Sequence, residues 1–336
     1  MLDPTFSLED SDKNSLSRAL DAVIYEKNGA CSYVNALNKL AYKTLPGELL
    51  DIFLTQKASK SPLPYIYINN IPTDLQVSGV PLQGEDTASY KSGFRSENIL
   101  IMLASLLGEP YSMAFEGEEI VNNLIPFLET ATDYTGLGSS VELDFHIENA
   151  ALKHFFPYNF SPMGLMLTGV NHDESGPMTR ISDGNKALSL LSVVDREVLS
   201  SESYRIKVPH RWRGGKYSLQ KTETDWVPIS LSKNGRYSDI SAVFYQDMIV
   251  SKNKDAERAL GNFHNAVKEV SEAISIRPGQ LLYIDNRIAL HSRDQFKPTY
   301  QNGRPRRWVQ RVFVSPNLWS HRDLQQVEHR IYEITA

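Results

Sequence analysis

Two hydrophobic periods alternate along this chain. Between residues 6 and 58 apolar positions recur at helical spacing. Leu16, Leu20, Val23 and Ile24 form one stripe, Val34, Leu37, Leu40 and Ala41 a second, and Leu49, Leu50 and residues 52–54 a third. Three helices are expected there, broken by Leu45-Pro46-Gly47, with Ser11 or Asp12 placed to cap the first. Further helices are expected over 97–107, twice within 185–200, over 255–276 and over 322–331. In the long one Ala259, Phe263, Val267, Val270 and Ile274 share the core side. Short apolar runs at 64–68, 110–115, 163–170, 242–245, 281–284 and 288–290 predict strands. Residues 307–314 alternate with period two: Trp308, Gln310, Val312 and Val314 share one face, and Arg307, Val309, Arg311 and Phe313 the other.

Composition narrows the class. The protein has 336 residues, 41% hydrophobic and 22% charged, enough to bury a large core and unlike a disordered polypeptide. The formal charge of −5 argues against nucleic acid as a partner. Cys31 is the only cysteine, which excludes an intrachain disulfide and a cysteine-rich zinc site. No apolar run approaches a membrane-spanning length, and the acidic, polar first residues are unlike a signal peptide, so a cytoplasmic protein is expected.

The chemistry gathers in two places. His146 and Glu148 are two apart in residues 143–150, so on a strand their side chains project together. His291 ends the 288–290 run. Two imidazoles and one carboxylate are the ligand set of the facial triad that holds non-haem Fe(II) and leaves positions open. Arg307 and Arg311, on one face beside a histidine, suggest a site for carboxylates. His154 and His172 flank the same region and are the rivals for the metal.

An HxE pair, a distant His within Ile284-Asp285-Asn286-Arg287 to His291, and Arg307-Trp308-x-x-Arg311, in this order, resemble the clavaminate synthase-like Fe(II)/2-oxoglutarate-dependent oxygenases. Among them the sequence is most similar to hydroxylases of free arginine and lysine, from about Val121 to Val314. The resemblance implies an α+β protein with a double-stranded β-helix (jelly-roll) core flanked by helices. It implies a single oxygenase domain over 1–336, with 1–60 as a helical elaboration and about 200–240 as a lid. It implies Fe(II) as cofactor and 2-oxoglutarate and O2 as cosubstrates. Arg307 would clamp 2-oxoglutarate, with Thr179 near its far carboxylate; Arg306 competes for that role because the loop before the strand is expanded. Arg311 would take the substrate α-carboxylate, Glu116 its amino group, and Asp247 the cationic end of its side chain. Tyr245 stands where the arginine hydroxylases carry a second acid, and this favours lysine over arginine.

The expected activity is therefore hydroxylation of a C–H bond in the side chain of a free basic L-amino acid. A desaturase using the same cofactor and a hydroxylase of another free amino acid remain open. The presence of Glu148 disfavours a halogenase. A zinc hydrolase built on the same three ligands leaves the two arginines without a role, and a non-catalytic double-stranded β-helix protein that binds a small molecule would be marked by no metal uptake.

Overall fold

The computed structural model describes residues 3–82, 84–127, 139, 142–155, 159–174, 176–208, 221–231, 237–245 and 247–334. The three N-terminal stripes become helices Asp10–Asp21, Cys31–Thr44 and Gly47–Ala58. The first begins before the expected caps: Glu9 takes the cap position without a side-chain bond. Asp10 and Asp12 instead lie in the first turn, where carboxylates oppose the helix dipole. A fourth helix, Arg95–Leu107, is buried almost all round. It lies between these three and a sheet, so it needs no polar face.

That sheet has nine strands among the described residues. Its order is Thr5–Ser7, Tyr65–Asn69, Gln280–Asp285, Gly164–Asn171, Trp308–Ser315, Glu109–Met113, Ile331–Glu333 and Gln325–Glu328, with Asn122–Leu124 added alongside Trp308–Ser315. A second sheet runs Glu272–Ile274, Thr179–Asp183, Ala289–Arg293, Leu143–His146.

Period-two alternation sorts the large sheet's side chains into two cores. Ile66, Ile68, Met166, Leu281, Tyr283, Val312 and Val314 face the helices. Leu165, Leu167, Leu282, Ile284, Val309 and Phe313 face the other way and share a core with Phe145, Ile181, Ala289 and Leu290 of the small sheet. This is an α+β arrangement in which every central strand is covered on both faces. Arg311 lies among the inward-facing residues of Trp308–Ser315, so the strand carries a charge into the space between the sheets.

Three expected elements come out differently. The 322–331 segment is not a helix: Gln325–Glu328 and Ile331–Glu333 form a hairpin after a short helical turn at Leu318–His321. Ile331 and Tyr332 pair with Ser112 and Met113, so an otherwise open edge of the large sheet captures them. The long helix spans Lys254–Glu269, and its expected last turn is instead the strand Glu272–Ile274 against Thr179–Ile181. Residues 242–245 make only an isolated bridge, from Val243 to His146.

Close approach shapes two glycines in opposite senses. A Cβ on Gly169 would stand 2.4 Å from the backbone carbon of Arg277, where the two segments cross. One on Gly261, on the exposed side of the Lys254–Glu269 helix, would meet nothing within 4 Å. Gly169→Ala is expected to lower unfolding free energy by roughly 1–3 kcal/mol. Gly261→Ala should raise it by about 0.5–1 kcal/mol. Urea titrations of both variants against wild type check the pair.

Candidate active site

Strand pairing brings the two histidines together. His146 ends Leu143–His146, and His291 faces it directly across the antiparallel ladder, ring centroids 4.2 Å apart. Nδ1 of His146 donates to the Asp144 carbonyl at 2.9 Å, which leaves Nε2 as the free lone pair. Burial, with repulsion from His291, pushes its pKa down to about 3, so the ring is neutral and ligand-ready.

Glu148 reaches the pair by another route than the expected strand parity. The strand stops at His146, and Asn149 is left-handed at φ 58°. The Glu148 backbone is then fixed chiefly by the side chain of Asn286. Its N–H donates to Oδ1 of Asn286 at 2.7 Å, and its carbonyl accepts from Asn286 Nδ2 at 3.1 Å and from Ser161 Oγ at 2.7 Å. Asn286 Nδ2 also donates to the Pro162 carbonyl at 2.9 Å. The asparagine of the Asp285-Asn286-Arg287 turn is therefore a backbone clamp on the HxE segment. Asp285 beside it holds Arg287 through two bonds, at 2.9 and 2.6 Å.

The donor set fits a metal ion. Ligand atoms of His146, Glu148 and His291 lie within 4.8 Å of one another. His291 Nε2 is 3.8 Å from Glu148 Oε1. Two ligands about 2.1 Å from one ion lie roughly 3 Å apart at a right angle and about 4.2 Å apart at most. Nδ1 of His291 is buried without a hydrogen-bond partner among the described residues, so no acceptor among them fixes the ring. Burial alone would raise the Glu148 pKa. Arg311 and then His291 outweigh it, and the carboxyl is held below its usual range as the anion a metal needs. His154 instead bonds Ser241 Oγ at 2.8 Å, and neither it nor His172 joins the cluster.

The arginine strand supplies the facing wall. Arg311 donates to Glu148 at 2.9 Å and to Glu116 at 2.7 Å, so one buried guanidinium joins the triad to the residue expected at the substrate amino group. Arg307 and Thr179 line the same cavity. Burial, and then the nearness of Arg293, push the Arg307 pKa down to about 10. Arg306 is exposed and does not line it; it lies in the bend before the strand Trp308–Ser315. The opposite face of the strand is anchored as well. Trp308 Nε1 donates to Asn123 Oδ1 at 2.9 Å, and Gln310 Nε2 donates to Glu97 at 2.8 Å and to Asn123 at 3.1 Å.

Asp247 is where expectation and structure part. It is exposed at φ 61°, in a turn whose neighbours Tyr245 and Met248 do line the cavity while it does not. A left-handed residue reverses the backbone and sends its side chain off the line of its neighbours. The wall also includes Ile206, Lys207, Val243 and Ile276. Residues 209–220 and 232–236, part of the expected lid with its basic stretch 210–215, lie outside the described residues. Sequence reasoning missed Asn286 as a clamp and Arg293 as a cavity residue. The second was legible, since Arg293 is two beyond His291 on one strand.

The description "Taurine catabolism dioxygenase TauD, TfdA family" belongs to the family that matches residues 76–313. L-asparagine oxygenase of Streptomyces coelicolor is 26% identical over 235 residues, 68% of this chain and 65% of its own length. Enduracididine beta-hydroxylase of Streptomyces hygroscopicus is 22% identical over 283 residues, 77% and 78% of the two chains. Among solved structures, asparagine oxygenase in complex with Fe(II), 2S,3S-3-hydroxyasparagine and succinate superposes with a TM-score of 0.82 at 21% identity, covering 98% of this chain and 99% of that one. The fold is thus shared over nearly the whole length.

Removing the clamp should loosen the metal seat without touching a ligand. Asn286→Ala is expected to cost roughly 2–4 kcal/mol of stability by leaving buried partners unpaired. It should also weaken Fe(II) binding measurably, by anaerobic titration, whereas His154→Ala leaves binding unchanged. Unaltered Fe(II) affinity in a folded Asn286→Ala protein would show that Glu148 is held by something else.

Proposed function

This chain belongs to the TauD/TfdA family of dioxygenases, and on that premise we propose that it hydroxylates a carbon in the side chain of a free α-amino acid. His146, Glu148 and His291 would hold Fe(II), and the two facing sheets form the double-stranded β-helix that carries them, within one oxygenase domain over residues 1–336. The bound iron, with 2-oxoglutarate and O2, supplies the oxidant that side chains cannot make. Family membership sets aside the zinc hydrolase and the non-catalytic binding protein.

One observation carries the amino-acid reading. Arg311 and Glu116 form an ion pair at 2.7 Å immediately beside Glu148. A guanidinium and a carboxylate offered together are the complement of a zwitterion. Arg311 can take the α-carboxylate through its fork, and Glu116 the α-ammonium. Both charges are nearly fully buried and neutralise each other, so a ligand that separates them must bring both of its own charges to keep the balance. Two fixed anchors beside the metal seat determine which carbon is presented to it.

Arg307 would hold the carboxylate of 2-oxoglutarate that lies away from the metal, and Thr179 would add a neutral hydrogen bond. The far end of the substrate is a separate question. A basic amino acid, lysine ahead of arginine, needs Asp247 to turn inward with the 245–248 segment. A neutral polar side chain is favoured by the wall itself. Lys207, Tyr245 and Met248 line it, and Glu148 is the only acid among the described lining residues.

Succinate release with a panel of free amino acids tests both levels, after Fe(II) and 2-oxoglutarate are shown to bind anaerobically. Turnover of lysine that Asp247→Asn abolishes supports the basic reading. Turnover of asparagine or glutamine, with Asp247→Asn unaffected, supports the neutral one. No turnover of any free amino acid overturns both. Arg307→Ala should weaken 2-oxoglutarate binding by roughly 3–5 kcal/mol and Thr179→Ala by about 1 kcal/mol, with Arg306→Ala near wild type.

A further inference from the structure

Arg293 is a buried cation in the cavity to which the proposed reaction assigns no role. It is 5% exposed and lines the same cavity as Thr179, Arg307 and the three metal-ligand candidates. Its position follows from the strand. Arg293 is two residues beyond His291, so both side chains leave the same face. Across the ladder its register partner is Thr179, as Ile181 is that of His291. Directly opposed residues on antiparallel strands have neighbouring side chains. Arg293 and Thr179 therefore stand side by side.

Arg307 meets them from the other sheet. Its guanidinium carbon is 5.7 Å from the ring centre of Phe296, and that of Arg293 is 5.3 Å from the same ring. One phenylalanine thus carries both guanidiniums. Arg293, after burial, disfavours the charged form of Arg307. Tyr245 and then Asp294 favour the charge on Arg293, and Asp173 that on Arg307. Asp294 accepts from Arg180 at 2.8 Å, and Asp173 accepts from the Thr299 N–H at 2.7 Å and its hydroxyl at 2.8 Å. Both guanidiniums line the cavity, where an anion can meet them together with Thr179.

We propose that Arg293 is a second guanidinium of the cosubstrate pocket, which with Arg307 and Thr179 binds the remote carboxylate of 2-oxoglutarate. A carboxylate offers about four lone-pair sites, enough for the fork of Arg307 and single donors from Arg293 and Thr179. Such a pocket discriminates against a 2-oxo acid that lacks the second carboxylate, because the charged hydrogen bonds to it would then not form. This inference rests on 2-oxoglutarate being the cosubstrate. The competing view gives Arg293 only a packing role against Phe296.

The test is anaerobic calorimetry on the Fe(II)-loaded full-length protein with two ligands, 2-oxoglutarate and 2-oxopentanoate. The second has the same keto-acid end and no remote carboxylate. Arg293→Met should raise the Kd for 2-oxoglutarate by roughly 10- to 100-fold, the range of a charged hydrogen bond. The Kd for 2-oxopentanoate should stay within about twofold of wild type. Arg293→Lys keeps the charge and loses the fork. It should fall between the two for 2-oxoglutarate, and it carries the test alone if the Met variant does not fold. An unchanged 2-oxoglutarate Kd, with Arg307→Met impaired, overturns the proposal. So does an equal loss for both ligands, since that reports a disturbed metal seat. Failure of wild type to bind 2-oxoglutarate would remove the cosubstrate reading itself, and it is seen before any variant is made.

Discussion

The side chain of Asn286 is the fixed point of the site. Fully buried, it bonds both backbone groups of Glu148 and the carbonyl of Pro162. A metal seat needs its three ligands held to a fraction of an ångström, and two of the candidate ligands are supplied by the ladder between Leu143–His146 and Ala289–Arg293. The third lies beyond the end of its strand, where nothing in the sheet would hold it. The turn that follows Gln280–Asp285 reaches over and fixes it, so that the large sheet positions a ligand of the small one.

Charge is arranged locally against the sign of the whole. The protein has a formal charge of −5, while the cavity is lined by Arg293, Arg307, Arg311 and Lys207 against Glu148. Arg311 bridges two carboxylates there, at 2.9 and 2.7 Å. That local excess suits small anions, a keto diacid and the carboxylate of an amino acid, and it costs desolvation that bound ligands would offset. The burial of the guanidiniums is tolerable because each has fixed polar or aromatic neighbours.

The outer face of the arginine strand is held as firmly as the inner one. Glu97 accepts from Gln310 and pairs with Lys91 at 2.5 Å, and Lys91 also pairs with Asp74 at 2.7 Å. The buried carboxyl of Glu97 is shifted upward by desolvation, against the attraction of Lys91. This cluster ties Arg95–Leu107 to Trp308–Ser315. The helical layer, which has no chemistry of its own, thereby fixes the height at which Arg307 and Arg311 enter the cavity.

Sequence alone determined what depends on local period and spacing. The N-terminal helices, the strand at 164–171, the alternation that puts Arg307 and Arg311 on one face, and the combination of His146, Glu148 and His291 were all readable. The first three repeat every two or 3.6 residues, and no distant partner is needed to set them; the ligand combination was readable only as a motif, and strand pairing with the Asn286 clamp assembles it. Tertiary structure decided the rest. It turned 325–333 into a hairpin, because a sheet edge was open to Ile331 and Tyr332. It turned Asp247 outward through a left-handed residue, a choice that local spacing does not encode. It brought Arg293 beside Thr179 and opposite Arg307, three residues that are far apart in sequence or not adjacent by any repeat. Pairing register and sheet-on-sheet packing join distant segments. Their outcome depends on which edges and faces are free once the whole protein has folded.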